Sequence, residues 1–414
     1  MLANINANQG RWTEAERLLA GEIERTRKEL DDVKETVDKL ADENRMLIEK
    51  YEGTEHVSRL EMMRDEIEAM RRASGETIQV RLRMLHQMGS IYHGQGKYNL
   101  AVDTLRKVVG GFEEHLGQQH LSTIAAMGSL AASLIKQGAL VDALQVAKVI
   151  NQRLRQLKGE NDGETLQSEM LLAKIQFWLD DDASESVNSL KTLIEKQTAL
   201  LGPSHSDTLA SEATLAGCYM DLQNCTSALE LQDAVVKKSE ITLNSQHPTT
   251  IGRRTRLGEI LGSLGRVDSA IELISGGIED LQGLFGDSHP HSISVQVSLS
   301  RALRVKGMLE DAEELGARSL EKLQGMYGED HALVLAAMAT LAGTYSASGR
   351  PERASPLLKS AIEISTRMTG LDSRETRYLR SRYAANARGD EEGENQQPLV
   401  PGITRHLSDQ VAPF

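Results

Sequence analysis

Five histidines recur at a fixed interval. His120, His205, His247, His289 and His331 are separated by 85, 42, 42 and 42 residues, the first step spanning two intervals with Asp162 in the gap. Imidazoles at repeated positions raise the question of metal binding or proton transfer. A zinc ion requires its ligands within ~2 Å, whereas histidines one interval apart on stacked helix pairs are separated by two helix diameters, about 20 Å. They are expected as loop residues at helix starts. Cys218 and Cys225, the only cysteines, read as small buried residues. The run Gly94-Gln95-Gly96-Lys97 resembles the end of a phosphate loop, but Tyr98 follows the lysine and Ile91 holds the earlier glycine position. Asp180–Asp182 lacks the glycine and terminal glutamate of a calcium loop. No G-x-S-x-G, H-E-x-x-H or C-x-x-C pattern occurs. No catalytic, cofactor-binding or metal-ligating residue is therefore expected, and no cofactor.

The interval itself describes the elements. Three residues after each anchor stand Thr123, Thr165, Thr208, Thr250, Ser292 and Val334. A second series, Gly96, Gly138, Gly265, Gly307 and Gly349, marks helix–helix turns, with Asn224 read as the left-handed substitute in one unit and Asp180 in another. Ala101, Ala143, Ala270, Ala312 and Ala354 follow those glycines by five residues, and Ala228 follows Asn224 by four. Ile124, Met127, Leu130, Ala131 and Leu134 have helical spacing. Each unit reads as a helix A, a glycine turn, a helix B with a small residue in its second turn, and a loop of the Leu-Gly-x-x-His type. One such pair cannot bury both faces, so the units must stack. The expected fold is all-α, a right-handed superhelical solenoid of antiparallel helix pairs, with six full units between about residues 77 and 370.

Composition agrees. The 414 residues are 40% hydrophobic but only 3% aromatic, with 34 glycines and 8 prolines, which suits Ala/Leu-packed helices. A net charge of −13 disfavours a general nucleic-acid binder. Two cysteines point to a reducing compartment, no run of ~18 apolar residues suggests a membrane span, and the first residues lack the pattern of a signal peptide. The expected location is cytoplasmic, with neither nucleic acid nor membrane as partner.

The segments Gly96–Ala101 (GKYNLA) and Gly10–Ala15 (GRWTEA) resemble tetratricopeptide repeats. The 42-residue period and the His-Pro-x-Thr loops resemble the kinesin-light-chain-like subtype, as in fungal repeat arrays. The resemblance covers residues 76–388 and, more weakly, 1–30. Residues 1–30 are expected to form a repeat-like helix pair. Residues 31–75, with Leu30, Val33, Val37, Leu40, Asn44, Leu47 and Tyr51 in heptad-like spacing, are read as either a degenerate repeat or a short coiled coil. A capping helix ends the array at residue 388, and 389–414 reads as a disordered tail.

The resemblance implies that two residues of each helix A face a groove. The candidates on that basis are His86, Gln87, Ser129, Thr214, Arg256, Ser298 and Thr340, to which the run of basic residues adds Arg253, Arg301 and Arg304. The asparagine ladder of kinesin light chains is absent there. The four arginines form a local basic patch suited to an acidic peptide. The function expected is a non-catalytic scaffold or adaptor that binds a protein, as a peptide or helix, in the concave groove. The alternatives are a cargo adaptor or self-assembling subunit, forming a homo-oligomer through residues 30–70, and an enzyme, or an enzyme's accessory subunit, with a site no motif reveals.

Overall fold

The computed structural model describes residues 12–50, 57–179, 183–371 and 373–388. These residues are helical apart from short turns, and no strand occurs among them. They fall into two compact units, one from residues up to 94 together with 100–130, the other from 95–99 together with 131 onward.

The first unit is built on two long helices, α1 (Trp12–Lys50) and α2 (Val57–Gly94). They run antiparallel, because Ala15 and Leu19 near the start of α1 pack on Met88 and Ile91 near the end of α2. This corrects the expectation for the N-terminal region. Residues 12–50 are one unbroken helix, not a helix pair within 1–30 followed by a separate unit over 31–75. The physical reason is that α1 contains no proline and a single glycine, Gly21, while ion pairs one turn apart line its surface, such as Arg17–Glu14, Lys39–Glu35 and Arg45–Asp42. Of the heptad-like positions, Leu30 and Val37 are buried, whereas Val33 is exposed. Gly94 allows a close approach, since a Cβ there would lie 2.6 Å from the Trp12 ring. The C-terminal part of α2 then pairs with α3 (Tyr98–Leu116), with Leu82, Val108, Phe112 and, from α4 (Leu121–Gln137), Ala126 in one cluster.

Helices then alternate in A–B order. They are α5 (Leu140–Lys158), α6 (Gly163–Leu179), α7 (Ser184–Leu201), α8 (Ser206–Asp221), α9 (Cys225–Leu243), α10 (Pro248–Ser263), α11 (Val267–Phe285), α12 (Pro290–Lys306), α13 (Leu309–Tyr327), α14 (Ala332–Ala347), α15 (Pro351–Thr369) and the terminal α16 (Arg374–Arg388). Counting the end of α2 with α3, seven A–B successions precede the terminal helix among the described residues where six were expected, because the stretch from about residue 77 to 370 holds seven 42-residue periods. The expected tail, 389–414, lies outside the described residues, as does Asp180.

The periodic residues explain the period. His120, His205, His247, His289 and His331 each accept the backbone N–H two residues on through Nδ1, at 3.1–3.3 Å. Asp162 does the same through Oδ1 at 3.0 Å. They are helix N-caps. Three residues later a hydroxyl reaches back to the preceding loop. Thr123, Thr165, Thr208 and Ser292 donate to the carbonyls of Gly117, Gly159, Gly202 and Gly286 at 2.8–2.9 Å, and Thr376 donates likewise to Gly370. Pro248 and Pro290 occupy the first turns of their helices, where no donor is lost.

The other turn is a Schellman closure. Ala139, Asn224, Arg266, Met308 and Arg350 donate to the carbonyl five residues back at 2.9–3.0 Å. In the unit without a turn glycine, the left-handed residue is Gln223, at φ 57, not Asn224. Asn224 has φ −86 and caps α9 by accepting from the Ser227 N–H. Placing Gln223 in the turn restores the five-residue step to Ala228. Ala143, Ala228, Ala270, Ala312 and Ala354 are all fully buried.

Residues 95–99 pack within the second unit. Tyr98 is 5% exposed, in one cluster with Leu333, Leu335, Leu358 and Leu379, and burial pushes its phenol pKa strongly up. Gly96, at φ 76, leaves room that a Cβ would take from the Asp330 carbonyl, 2.8 Å away. No helix among the described residues is long and apolar enough to cross a membrane.

Candidate functional site

The A helices carry polar rungs to one another. In the first unit, His86 Nε2 lies 2.8 Å from Ser129 Oγ, and burial pulls the His86 pKa below the ordinary imidazole value. Gln87 is exposed. In the second unit, Thr214, Arg256, Ser298 and Thr340 occupy one register, each 42 residues from the next. Thr214 donates to the Ala210 carbonyl at 2.9 Å and touches Met170 Sδ at 3.9 Å. Thr340 donates to the Ala336 carbonyl at 2.8 Å. These two hydroxyls are held by their own helices, so they contribute shape more than reach.

The charged centre is between α10 and α12. Glu259 Oε1 accepts from Ser298 Oγ at 2.8 Å and from Arg301 Nη2 at 2.7 Å, while Oε2 accepts from Arg256 Nη1 at 3.4 Å. The Glu259 side chain is only 3% exposed, against 15% for Arg256 and 13% for Arg301. One buried carboxylate thus gathers two guanidinium groups from consecutive A helices beneath a partly open surface. Sequence reasoning singled out both arginines and Ser298 but not Glu259. The signal was present, because Glu259 stands 42 residues before Arg301 and so occupies its register.

The other two arginines diverge from this centre. Arg253 turns toward α9, where Nη1 donates to Ser239 Oγ at 2.6 Å. Burial lowers its pKa, opposed by the charge of Glu212, which itself receives both short contacts of Lys238 at 2.7 and 2.9 Å. Arg304 is 8% exposed and lies with Arg382, 7% exposed, against Gly343. A Cβ at 343 would meet Arg382 Nη2 at 2.5 Å and Arg304 Nε at 3.5 Å, so glycine is what admits both guanidinium groups. Arg382 also donates to the Tyr378 hydroxyl at 3.0 Å. The four arginines expected as one patch are therefore three environments, of which Arg256 with Arg301 is the shared one.

Among the described residues no group of three or more His, Cys, Asp or Glu side chains could hold a metal ion. The periodic histidines are engaged as caps, and neither Cys218 nor Cys225 is in a disulfide.

The tetratricopeptide repeat family model matches residues 291–367, and a second tetratricopeptide repeat model matches 82–110. The chain carries tetratricopeptide repeats. The matched stretches coincide with α12 to α15 and with the meeting of α2 and α3, so both units contain a recognisable repeat. No curated protein matches the chain. Among solved structures, a point variant of a Podosopora anserina protein described as a kinesin light chain, with nearly identical TPR-like repeats, is 27% identical, covering 49% of this chain and 95% of that one, with a TM-score of 0.41. A Rap protein complexed with Competence and Sporulation Factor is 13% identical over 93% of this chain and 98% of that one, at a TM-score of 0.50. The quorum sensor NprR of B. thuringiensis is 15% identical over 87% and 98%, at 0.47. At these identities the likeness to Rap speaks to the fold alone.

Proposed function

We propose that this tetratricopeptide repeat chain is a non-catalytic interaction scaffold that receives an acidic peptide along the face of its A helices. The observation that carries the reading is the pairing of Arg256 and Arg301, partly open side chains from consecutive repeats gathered on one carboxylate. Two guanidinium groups against one Glu259 leave an excess of one positive charge at this spot, within a chain of net charge −13. Charge-assisted contacts to a carboxylate are stronger than neutral hydrogen bonds. Within the second unit Thr214 and Thr340 would shape the surface beside them, while His86, Gln87 and Ser129, in the first unit, are proposed as a polar surface of that unit by itself, and the reading takes the location as cytoplasmic. The test is titration of a fluorescein-labelled hexaglutamate peptide into the full chain. Binding that weakens with added salt, and that the double variant Arg256→Glu/Arg301→Glu loses while keeping its helical circular dichroism, supports the reading. A folded double variant with wild-type affinity moves the interaction elsewhere.

A second reading, homo-oligomerisation through residues 30–70, has its own observation. Val33, Met46 and Met70 on the long helix pair are 42%, 62% and 43% exposed. Light scattering of the full chain decides it: a monomer mass ends the reading.

A further inference from the structure

The arginines that would receive an acidic partner already hold an acid of the chain's own. This inference rests on the acidic-peptide reading and concerns what that peptide must do on arrival. Glu259 does not form an ordinary surface ion pair. It is on α10, its side chain is 3% exposed, and its acceptors are taken by donors from two successive A helices: Arg256 on its own helix, Ser298 and Arg301 on the next. The position is periodic, with Gly217, Glu259, Arg301 and Gly343 standing 42 residues apart. The two flanking units have no side chain there, so the charged pair is confined to one junction.

We propose that Glu259 is a resident stand-in for the partner's carboxylate, and that an acidic side chain of the peptide binds by taking over Arg256 and Arg301 from it. A guanidinium carries five N–H donors, and Glu259 occupies one on each arginine. The remaining donors are on side chains 15% and 13% exposed, so a second carboxylate can approach before the first has left. Two effects of Glu259 oppose each other. It holds the two arginines together, which favours an incoming acid, and it repels that acid from a few ångströms. Like charges about 6 Å apart in a partly buried setting interact strongly enough to change affinity by tenfold or more, whereas fixing a side chain in place changes it by a smaller factor. Repulsion therefore wins, and Glu259 weakens binding. The junction would thus admit closely spaced acidic residues and reject a lone one, since a lone carboxylate gains little over the one it replaces.

The experiment is the hexaglutamate titration of the full chain by fluorescence anisotropy, with Glu259→Gln, Ser298→Ala and Arg301→Gln. Glu259→Gln should bind at least ~10-fold tighter than wild type. Ser298→Ala, which removes one hydrogen bond from Glu259 without altering any charge, should bind about twofold to threefold tighter. Arg301→Gln should lose most of the affinity. Weaker or unchanged binding by both Glu259→Gln and Ser298→Ala overturns the stand-in and leaves Glu259 as a positioning residue, with the acidic-peptide reading intact. Should Glu259→Gln fail to fold, Ser298→Ala decides alone. Binding by neither the wild type nor any variant overturns the acidic-peptide reading, and this inference with it.

Discussion

Arg301 donates to Glu259 from the same position of the following repeat: 42 residues separate them in sequence, and 2.7 Å separates Nη2 from Oε1. A period that elsewhere repeats one residue type here sets opposite charges in register. Because Glu259 is buried, removing its partner leaves a carboxylate poorly compensated. Arg301→Gln should lower stability by about 1–3 kcal/mol. The double variant Glu259→Gln/Arg301→Gln should cost less than the sum of the single changes. Urea unfolding followed by circular dichroism measures both, and strict additivity would show that the pair contributes nothing as a pair.

The small residues of the B helices should tolerate no enlargement. Ala270 and Ala312 are fully buried, and the Ala312 carbonyl accepts from Ser300 Oγ at 2.7 Å, so leucine at either place must displace a neighbouring helix. Each change should cost about 1–3 kcal/mol by overpacking. Unaltered melting temperatures for both variants would count against this contact as what holds the stack.

The hydroxyl that ties each loop offers a paired comparison. Thr208 donates to the Gly202 carbonyl at 2.9 Å, while the equivalent Thr250 hydroxyl is buried with no hydrogen-bond partner. Thr208→Val should destabilise by about 1 kcal/mol, and Thr250→Val should be neutral or stabilising. The chain already carries valine at this position in Val334. Equal losses in the two variants would mean that the methyl packing, not the hydrogen bond, matters.

Acid should unfold the repeats through a cap. His289 accepts the His291 N–H through Nδ1, which requires a neutral ring. Burial, helped by the charge of His291, lowers its pKa from 6.5 to about 4. A lowered folded pKa means that the unfolded chain takes up the proton first. The contribution of this cap is therefore complete above pH ~6.5 and is lost as pH falls toward 4. His289→Asn keeps an acceptor that does not titrate. Its melting temperature should fall less than that of the wild type between pH 7 and pH 5, and parallel curves would assign the acid sensitivity to other groups.

The repeat was legible because its anchors are local. His205, Thr208 and Pro248 act on backbone atoms a few residues away or on their own turn, so their types and spacing carry the geometry. The one-residue misplacement of Asn224 has the same origin. Asparagine suits both a left-handed turn and a cap, and only the hydrogen bond to Ser227 separates the two roles. Gln223 in the left-handed region is a choice that no propensity favours. The N-terminal region misled because a glycine–aromatic–alanine pattern at residues 10–15 also fits the start of a long helix whose partner comes much later in the chain. The site was half legible. Arg256 and Arg301 stand out in an acidic sequence, but whether an arginine faces a groove, a neighbouring helix or a buried carboxylate depends on side-chain direction. Arg253 and Arg256 are one turn apart on α10 yet reach Ser239 and Glu259 respectively.

Tyr98 gives the chain an order of events. The caps, turns and rungs join residues within about one repeat of each other, such as Met170 with Thr214, and contacts that close in sequence can form while synthesis is still under way. Tyr98 differs, for its neighbours Leu333, Leu358 and Leu379 belong to α14, α15 and α16. The ring cannot be buried in this cluster until α14 to α16 have left the ribosome. Its burial is a late step of assembly, and a polypeptide cut short before α14 would lack the leucines that cover this ring.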